Sequence, residues 1–182
     1  MDRYTPLRNR TIALVGLMGV GKSSVGRRLA NALELPFRDA DTEVEAAAGR
    51  PITEIFAEMG EAAFRDGERR VIQRLLEEPP HVLATGGGAF MNDETRALLK
   101  ERALVVWLRA DLDLLARRVG RKDTRPLLKD ADPLTVLKAQ AEQRYPIYAE
   151  AHVALDTGDT AHHVTVSQVI DALTRYLAEQ GS

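Results

Sequence analysis

The sequence predicts an α/β fold, and three observations carry that expectation. Short apolar runs alternate with longer amphipathic ones along the 182 residues, the pattern of strands each followed by a helix that packs back onto a parallel sheet. The run TIALVGL (residues 11–17) is β-rich and nearly all apolar, as a strand buried on both faces requires. A glycine-rich turn ends it, and over residues 22–33 the period changes: Val25, Leu29, Ala32 and Leu33 recur at helical spacing, with Arg27, Arg28 and Asn31 on the other face.

The remaining elements follow in the same way. LPFRDAD (35–41) reads as a second strand, and helical stretches follow near 42–48, 52–59 and 61–77, the last closed by Pro79 and Pro80. HVLAT (81–85) is a third strand that runs into Gly86, Gly87 and Gly88, with a helix capped by Asn92 or Asp93 behind it. ALVVWL (103–108) is a fourth strand, followed by a short helix over 111–119. The segment GRKDTRPLLKDADP, with Pro126 and Pro133 and no apolar period, reads as a mobile loop over about 120–132. A helix over 134–144, a fifth strand in HVALDT and a closing helix over 166–177 complete the chain, and the first nine residues read as a polar lead-in to one domain over 10–182. His162 and His163 have no third group at ligand spacing and are expected to face solvent.

Composition narrows the function. Lys plus Arg number 25 against 27 Asp plus Glu, a net charge of −2, so nothing in the bulk charge draws the chain to nucleic acid or anionic membranes. Any anion must be held locally. No cysteine is present, which removes disulfides, thiolate catalysis and cysteine-bound zinc and fits a reducing compartment, so a cytoplasmic location is expected. No apolar run approaches the length of a membrane span.

The string GLMGVGKS, from Gly16 to Ser23, matches the P-loop pattern G-x-x-x-x-G-K-[ST] and lies between a strand and a helix, as its chemistry demands. Gly19, Val20 and Gly21 would curl the backbone so that N–H groups converge on phosphate oxygens, helped by the positive end of the helix that opens at Lys22, Ser23 and Ser24. A nucleoside triphosphate such as ATP fits there. Lys22 would reach the β- and γ-phosphates, and the Ser23 hydroxyl would be a ligand of a single Mg²⁺ bridging them.

Asp39 and Asp41 alternate at the end of the second strand, so a period of two turns both carboxylates toward the carboxyl edge of the sheet, where open α/β sheets bind ligands. One would hold a Mg²⁺-bound water and the other would accept the proton of an attacking hydroxyl. The competing reading is that D-A-D turns the chain and caps a helix at Thr42. For Gly86, Gly87 and Gly88 the alternatives are a backbone approached closely by a small substrate and a flexible turn. Arg65 on a helix and Arg144, placed where a helix should end before Pro146, each read as surface arginines on spacing alone. Arg125, in the charged proline-bearing loop, suits a lid closing over phosphates.

Together, GLMGVGKSSVGRRLA, PFRDADTEVE, ITEIFAEMGEAAFRDGE, TGGGA, RPLL and RYPIY occur in the order and spacing found in shikimate kinases, and the chain resembles that family over about residues 10–176. The resemblance implies a P-loop NTPase fold of the nucleoside monophosphate kinase type: a five-stranded parallel sheet of order 2-3-1-4-5, with a lid. It implies ATP and shikimate as small-molecule substrates, the 3-hydroxyl as acceptor, and a monomer. By residue match Asp41, Arg65, Gly86, Gly87, Gly88 and Arg144 would bind shikimate, the two arginines through its carboxylate. Lys22, Asp41 and Arg125 would be catalytic, Arg118 would lie near the adenine, and Asp39 would support Mg²⁺ through water. Gluconate and nucleotide kinases are the rivals among enzymes. A GTPase-type switch is disfavoured because no N-K-x-D string is present.

Overall fold

The computed structural model describes residues 2–120 and 132–181. Its centre is strand β1 (Thr11–Val15), all five residues of which are buried. Strands β2 (Phe37–Asp39), β3 (Val82–Ala84), β4 (Ala103–Arg109) and β5 (Val153–Asp156) join it in the order β2-β3-β1-β4-β5. Every pairing is parallel: Leu14 of β1 stands beside Ala84 of β3 on one side and Val106 of β4 on the other. This register has a functional consequence. Since β1 and β3 are neighbours and run the same way, the loops that leave them emerge side by side at the carboxyl edge. Thr85 ties the two exits together, its N–H and hydroxyl both donating to the Leu14 carbonyl at 3.2 and 2.8 Å.

Helices cover the sheet. Helix α2 (Lys22–Leu33) buries Val25, Leu29 and Leu33, as its apolar period requires. Helix α3 (Ala40–Ala48) leads to α4 (Ile52–Leu75), in which Gly60 takes φ 84° and ψ 171°. That left-handed residue, easy only for glycine, breaks α4 into the two helical stretches the sequence suggests. Helix α5 (Asp93–Arg102) starts at the expected cap, where the Asn92 side chain accepts from Thr95 N. Helices α6 (Leu112–Gly120) and α7 (Pro133–Tyr148) flank the segment 121–131, and α8 (His162–Gln180) closes the chain. The expected lid over 120–132 and its Arg125 lie outside the described residues, apart from the flanking Gly120 and Asp132.

Three expectations need correction. The first nine residues are more than a polar lead-in: a helical turn, α1 (Thr5–Arg8), buries Leu7 completely. Arg8 also donates to the Leu33 carbonyl at 3.0 Å and pairs with Glu34 at 2.6 Å, fastening this turn to the end of α2. Helix α7 does not stop at Arg144 but runs through Pro146 to Tyr148. Proline removes one backbone donor there, and the last turn is held instead by Tyr148, which is fully buried against the rings of Trp107 and Phe90. The closing helix begins at His162, four residues before the first buried apolar position that marks it in the sequence, Val166. His163 is exposed and His162 half-buried.

Candidate active site

The loop between β1 and α2 is shaped by glycines in left-handed conformations, Gly19 at φ 82° and Gly21 at φ 100°. A side chain at either would be strained, and Gly21 doubles as the N-cap of α2. The helix therefore opens directly on the loop, and a helix N-terminus favours an anion there. Val20 is buried, while Ser23 and Ser24 stand half-buried in the helix's first turn. Lys22, only 8% exposed, folds back so that Nζ donates to the carbonyls of Gly16 (2.7 Å) and Leu17 (3.1 Å). Arg118 reaches over from α6 and donates to the Gly19 carbonyl at 3.1 Å, with Asp159 at 3.7 Å on its other side.

Asp39 connects this loop to the next element. Its Oδ2 accepts from the Ser23 hydroxyl at 2.6 Å, and its Oδ1 accepts from the backbone N–H groups of Asp41 (3.0 Å) and Thr42 (3.3 Å). The second contact is an N-cap, so helix α3 begins at Ala40 and the strand ends at Asp39. Asp41 therefore lies in the first turn of a helix and not on the strand, and the period-of-two argument for the D-A-D pair fails. The carboxylates still serve one edge of the sheet, because a helix that starts at the strand end stays beside it. Asp39 realises the capping reading with one oxygen, and its other oxygen meets the Ser23 hydroxyl.

The glycine triplet after β3 is close-packed against charged side chains. A Cβ on Gly86 would stand 2.9 Å from Asp41 Oδ1 and 2.8 Å from Glu68 Oε2; on Gly87, 3.1 Å from Arg144 Nη1; on Gly88, 2.4 Å from Arg65 Nη2. None of the three has a left-handed φ. Glycine supplies room here and not backbone freedom, which is what the close-approach reading of the triplet asks for. Each glycine thus admits one of the expected acceptor-site side chains: Asp41 from α3, Arg144 from α7, and Arg65 from the part of α4 after Gly60. The Gly87 Cβ position is also 3.8 Å from Gly16 O and Met18 N, so the triplet abuts the P-loop.

These side chains line a cavity of about 410 Å³ whose apolar wall comes from Ile52, Phe56 and Phe64. Three carboxylates (Asp41, Glu45 and Glu68) and two guanidinium groups on an apolar pocket suit a small polyhydroxy acid better than a purely apolar ligand. Spacing alone gave no sign of Glu68, which is 2% exposed. Its Oε1 accepts from Arg65 Nη1 at 2.9 Å, whereas Oε2 has no hydrogen-bond partner. Burial raises the Glu68 carboxyl above its usual range, with Asp41 adding to the rise and Arg65 opposing it most. Its i,i+3 spacing from Arg65 lets the two side chains meet but does not mark the carboxylate as buried. Gln140 and Phe56 were likewise missed, since only the folding of α4 and α7 over the triplet brings them into the cavity.

The chain is similar to known proteins over most of its length. Residues 18–174 match the family model described as shikimate kinase. A shikimate kinase of Caulobacter vibrioides is 71% identical over 172 residues, spanning 94% of this chain and 86% of that protein. One from Paramagnetospirillum magneticum is 55% identical over 181 residues, spanning 97% and 93%. The solved shikimate kinase from Acinetobacter baumannii in complex with shikimate superposes with a TM-score of 0.89 at 36% identity, covering 93% of this chain and 96% of that one. On the extent of these matches, the chain belongs to the shikimate kinase family.

Proposed function

We propose that this protein transfers the γ-phosphoryl group of ATP to the 3-hydroxyl of shikimate, and that the contact between the glycine triplet and the P-loop carries the assignment. The 3.8 Å approach of the Gly87 Cβ position to Gly16 O sets a pocket for a carboxylate-bearing alcohol against a cradle for phosphates, so donor and acceptor meet without solvent between them. Arg65 and Arg144 hold the carboxylate of the acceptor through charge-assisted hydrogen bonds. Asp41, against Gly86, orients the attacking hydroxyl and takes its proton as the oxygen–phosphorus bond forms and the bond to ADP breaks. Lys22 leaves its carbonyl partners to meet the phosphates of ATP and follows the charge that develops on them.

Mg²⁺ fits the same edge. Ser23 Oγ and Asp39 Oδ2 are two hard oxygen atoms 2.6 Å apart, and among the described residues no larger group of metal-ligating side chains gathers. Few protein ligands, completed by phosphate and water, is the usual arrangement for this ion. When bound, it neutralises charge on the β- and γ-phosphates. Ser23 would bind it and Asp39 would hold one of its waters. No described helix is long and apolar enough to cross a membrane, which accords with a protein acting on dissolved small molecules in the cytoplasm.

ADP release measured across shikimate, quinate, gluconate and nucleoside monophosphates tests the assignment. Shikimate is expected to stimulate release most, with Mg²⁺ required. Stimulation by gluconate and none by shikimate would overturn it.

A further inference from the structure

We infer that Tyr148 is a positioning residue for the acceptor pocket: its hydroxyl fixes the Gly87 peptide and thereby the backbone face that the substrate meets. This rests on the proposed acceptor role of the glycine triplet. Tyr148 is the last residue of α7, one helical turn beyond Arg144 and on the same face. It is fully buried, and its hydroxyl donates to the Gly87 carbonyl. The ring is held by Phe90 (centroids 6.4 Å apart), Trp107 (5.7 Å) and Tyr145 (6.5 Å), so the hydroxyl has one direction to point.

The pairing of the triplet's three carbonyls shows what this contact does. Gly86 O accepts from Ala89 N at 3.2 Å and Gly88 O from Met91 N at 3.1 Å, both local turn contacts. Gly87 O alone depends on a side chain from another element. No backbone acceptor among the described residues takes the N–H of Gly86, Gly87 or Gly88. A peptide is planar and trans, so its carbonyl and the following N–H point in opposite directions. Anchoring Gly87 C=O inward on Tyr148 therefore also fixes where Gly88 N–H points. The same tyrosine docks the helix that carries Arg144, whose Nη1 lies 3.1 Å from the Gly87 Cβ position. One hydroxyl thus sets two parts of the pocket relative to each other.

Burial pushes the phenol up to about 12, against the pull of the Arg144 cation, so it stays a donor throughout the neutral range. Tyr148→Phe keeps the ring and removes only that donor, which takes from the half-buried Gly87 carbonyl its side-chain partner. The expected result is a rise of about tenfold in both KM and Kd for shikimate, with kcat and the KM for ATP within about twofold of wild type. Amide exchange should quicken in the peptide containing Gly86–Gly88 and not in β1. Val169→Ala, in the fully buried face of α8, serves as a control that lowers Tm without moving either readout.

Unchanged shikimate KM and Kd in Tyr148→Phe, with unchanged exchange at the triplet, would make Tyr148 a packing residue only, whatever its Tm. Should the wild-type protein fail to turn over shikimate, the functional assignment falls instead. The exchange comparison then decides the positioning role by itself.

Discussion

The phosphate loop and the acceptor pocket lie against each other but are built on opposite plans. The loop is local: strand, glycines in left-handed conformations, lysine, hydroxyl and helix follow one another within residues 11–33. Its walls are backbone. The acceptor pocket is assembled from α3, α4, the triplet after β3, and α7, and its walls are charged side chains seated on glycines. A local site tolerates no change of backbone shape, whereas a side-chain site can lose a contact and keep the fold. Glycine does a different job in each, supplying conformation in the first and space in the second.

The difference is sharpest for the groups that touch reacting atoms. Lys22→Met and Asp41→Asn are each expected to lower kcat more than about a thousandfold while leaving the folded structure intact, since the roles proposed for them are to stabilise charge and accept a proton. Steady-state kinetics with circular dichroism checks this. Near-normal kcat in either variant would remove that residue from the proposed chemistry.

Two glycine substitutions separate the plans. Gly16 has φ 149°, and a Cβ there would come within 2.5 Å of the Leu108 backbone carbonyl. Gly16→Ala must move backbone and is expected to destabilise the protein by about 2 to 4 kcal/mol. The atoms nearest a Cβ on Gly88 are all in the Arg65 guanidinium, the first at 2.4 Å. Gly88→Ala should displace that guanidinium, raising the KM for shikimate by about tenfold to a hundredfold with little change in Tm. Thermal melts and kinetics on the pair test the contrast, and equal losses of stability would erase it.

The same contrast explains what the sequence shows. The helix over 22–33 and the phosphate loop can be read directly because their signals are contiguous. The D-A-D pair misleads, since the cap that Asp39 provides starts a helix one residue before Asp41. Arg144 is misplaced to a helix end because Pro146 reads as a stop, while the burial of Tyr148 that outweighs it depends on β4 and on the turn after β3. Glu68 and Gln140 enter the pocket only through tertiary packing, and no spacing rule distinguishes them from solvated residues. The single buried Leu7 among charged neighbours gives too little periodicity to mark α1.

A smaller effect concerns Glu68. Its carboxyl is raised by burial, so the folded state holds the proton more tightly than the unfolded one. The stability this gives is present below the ordinary carboxylate pKa and is lost as pH rises through the higher folded value. Glu68→Gln keeps a partner for Arg65 and removes the cost of the buried charge. Its Tm relative to wild type is expected to be more favourable at pH 7.5 than below pH of about 4, where both side chains are neutral. A Tm difference that does not vary with pH would contradict the raised carboxyl.

The pocket is proposed to recognise the carboxylate of shikimate through guanidinium groups seated on the glycine triplet. The most direct measurement is kcat/KM for shikimate and for its methyl ester in the wild type, Arg65→Ala and Arg144→Ala. For shikimate each substitution is expected to cost about tenfold to a hundredfold, the loss of a charge-assisted hydrogen bond. For the uncharged ester, already weak with the wild type, the cost should fall to about threefold or less. Equal losses for acid and ester would show that Arg65 and Arg144 do not hold the carboxylate.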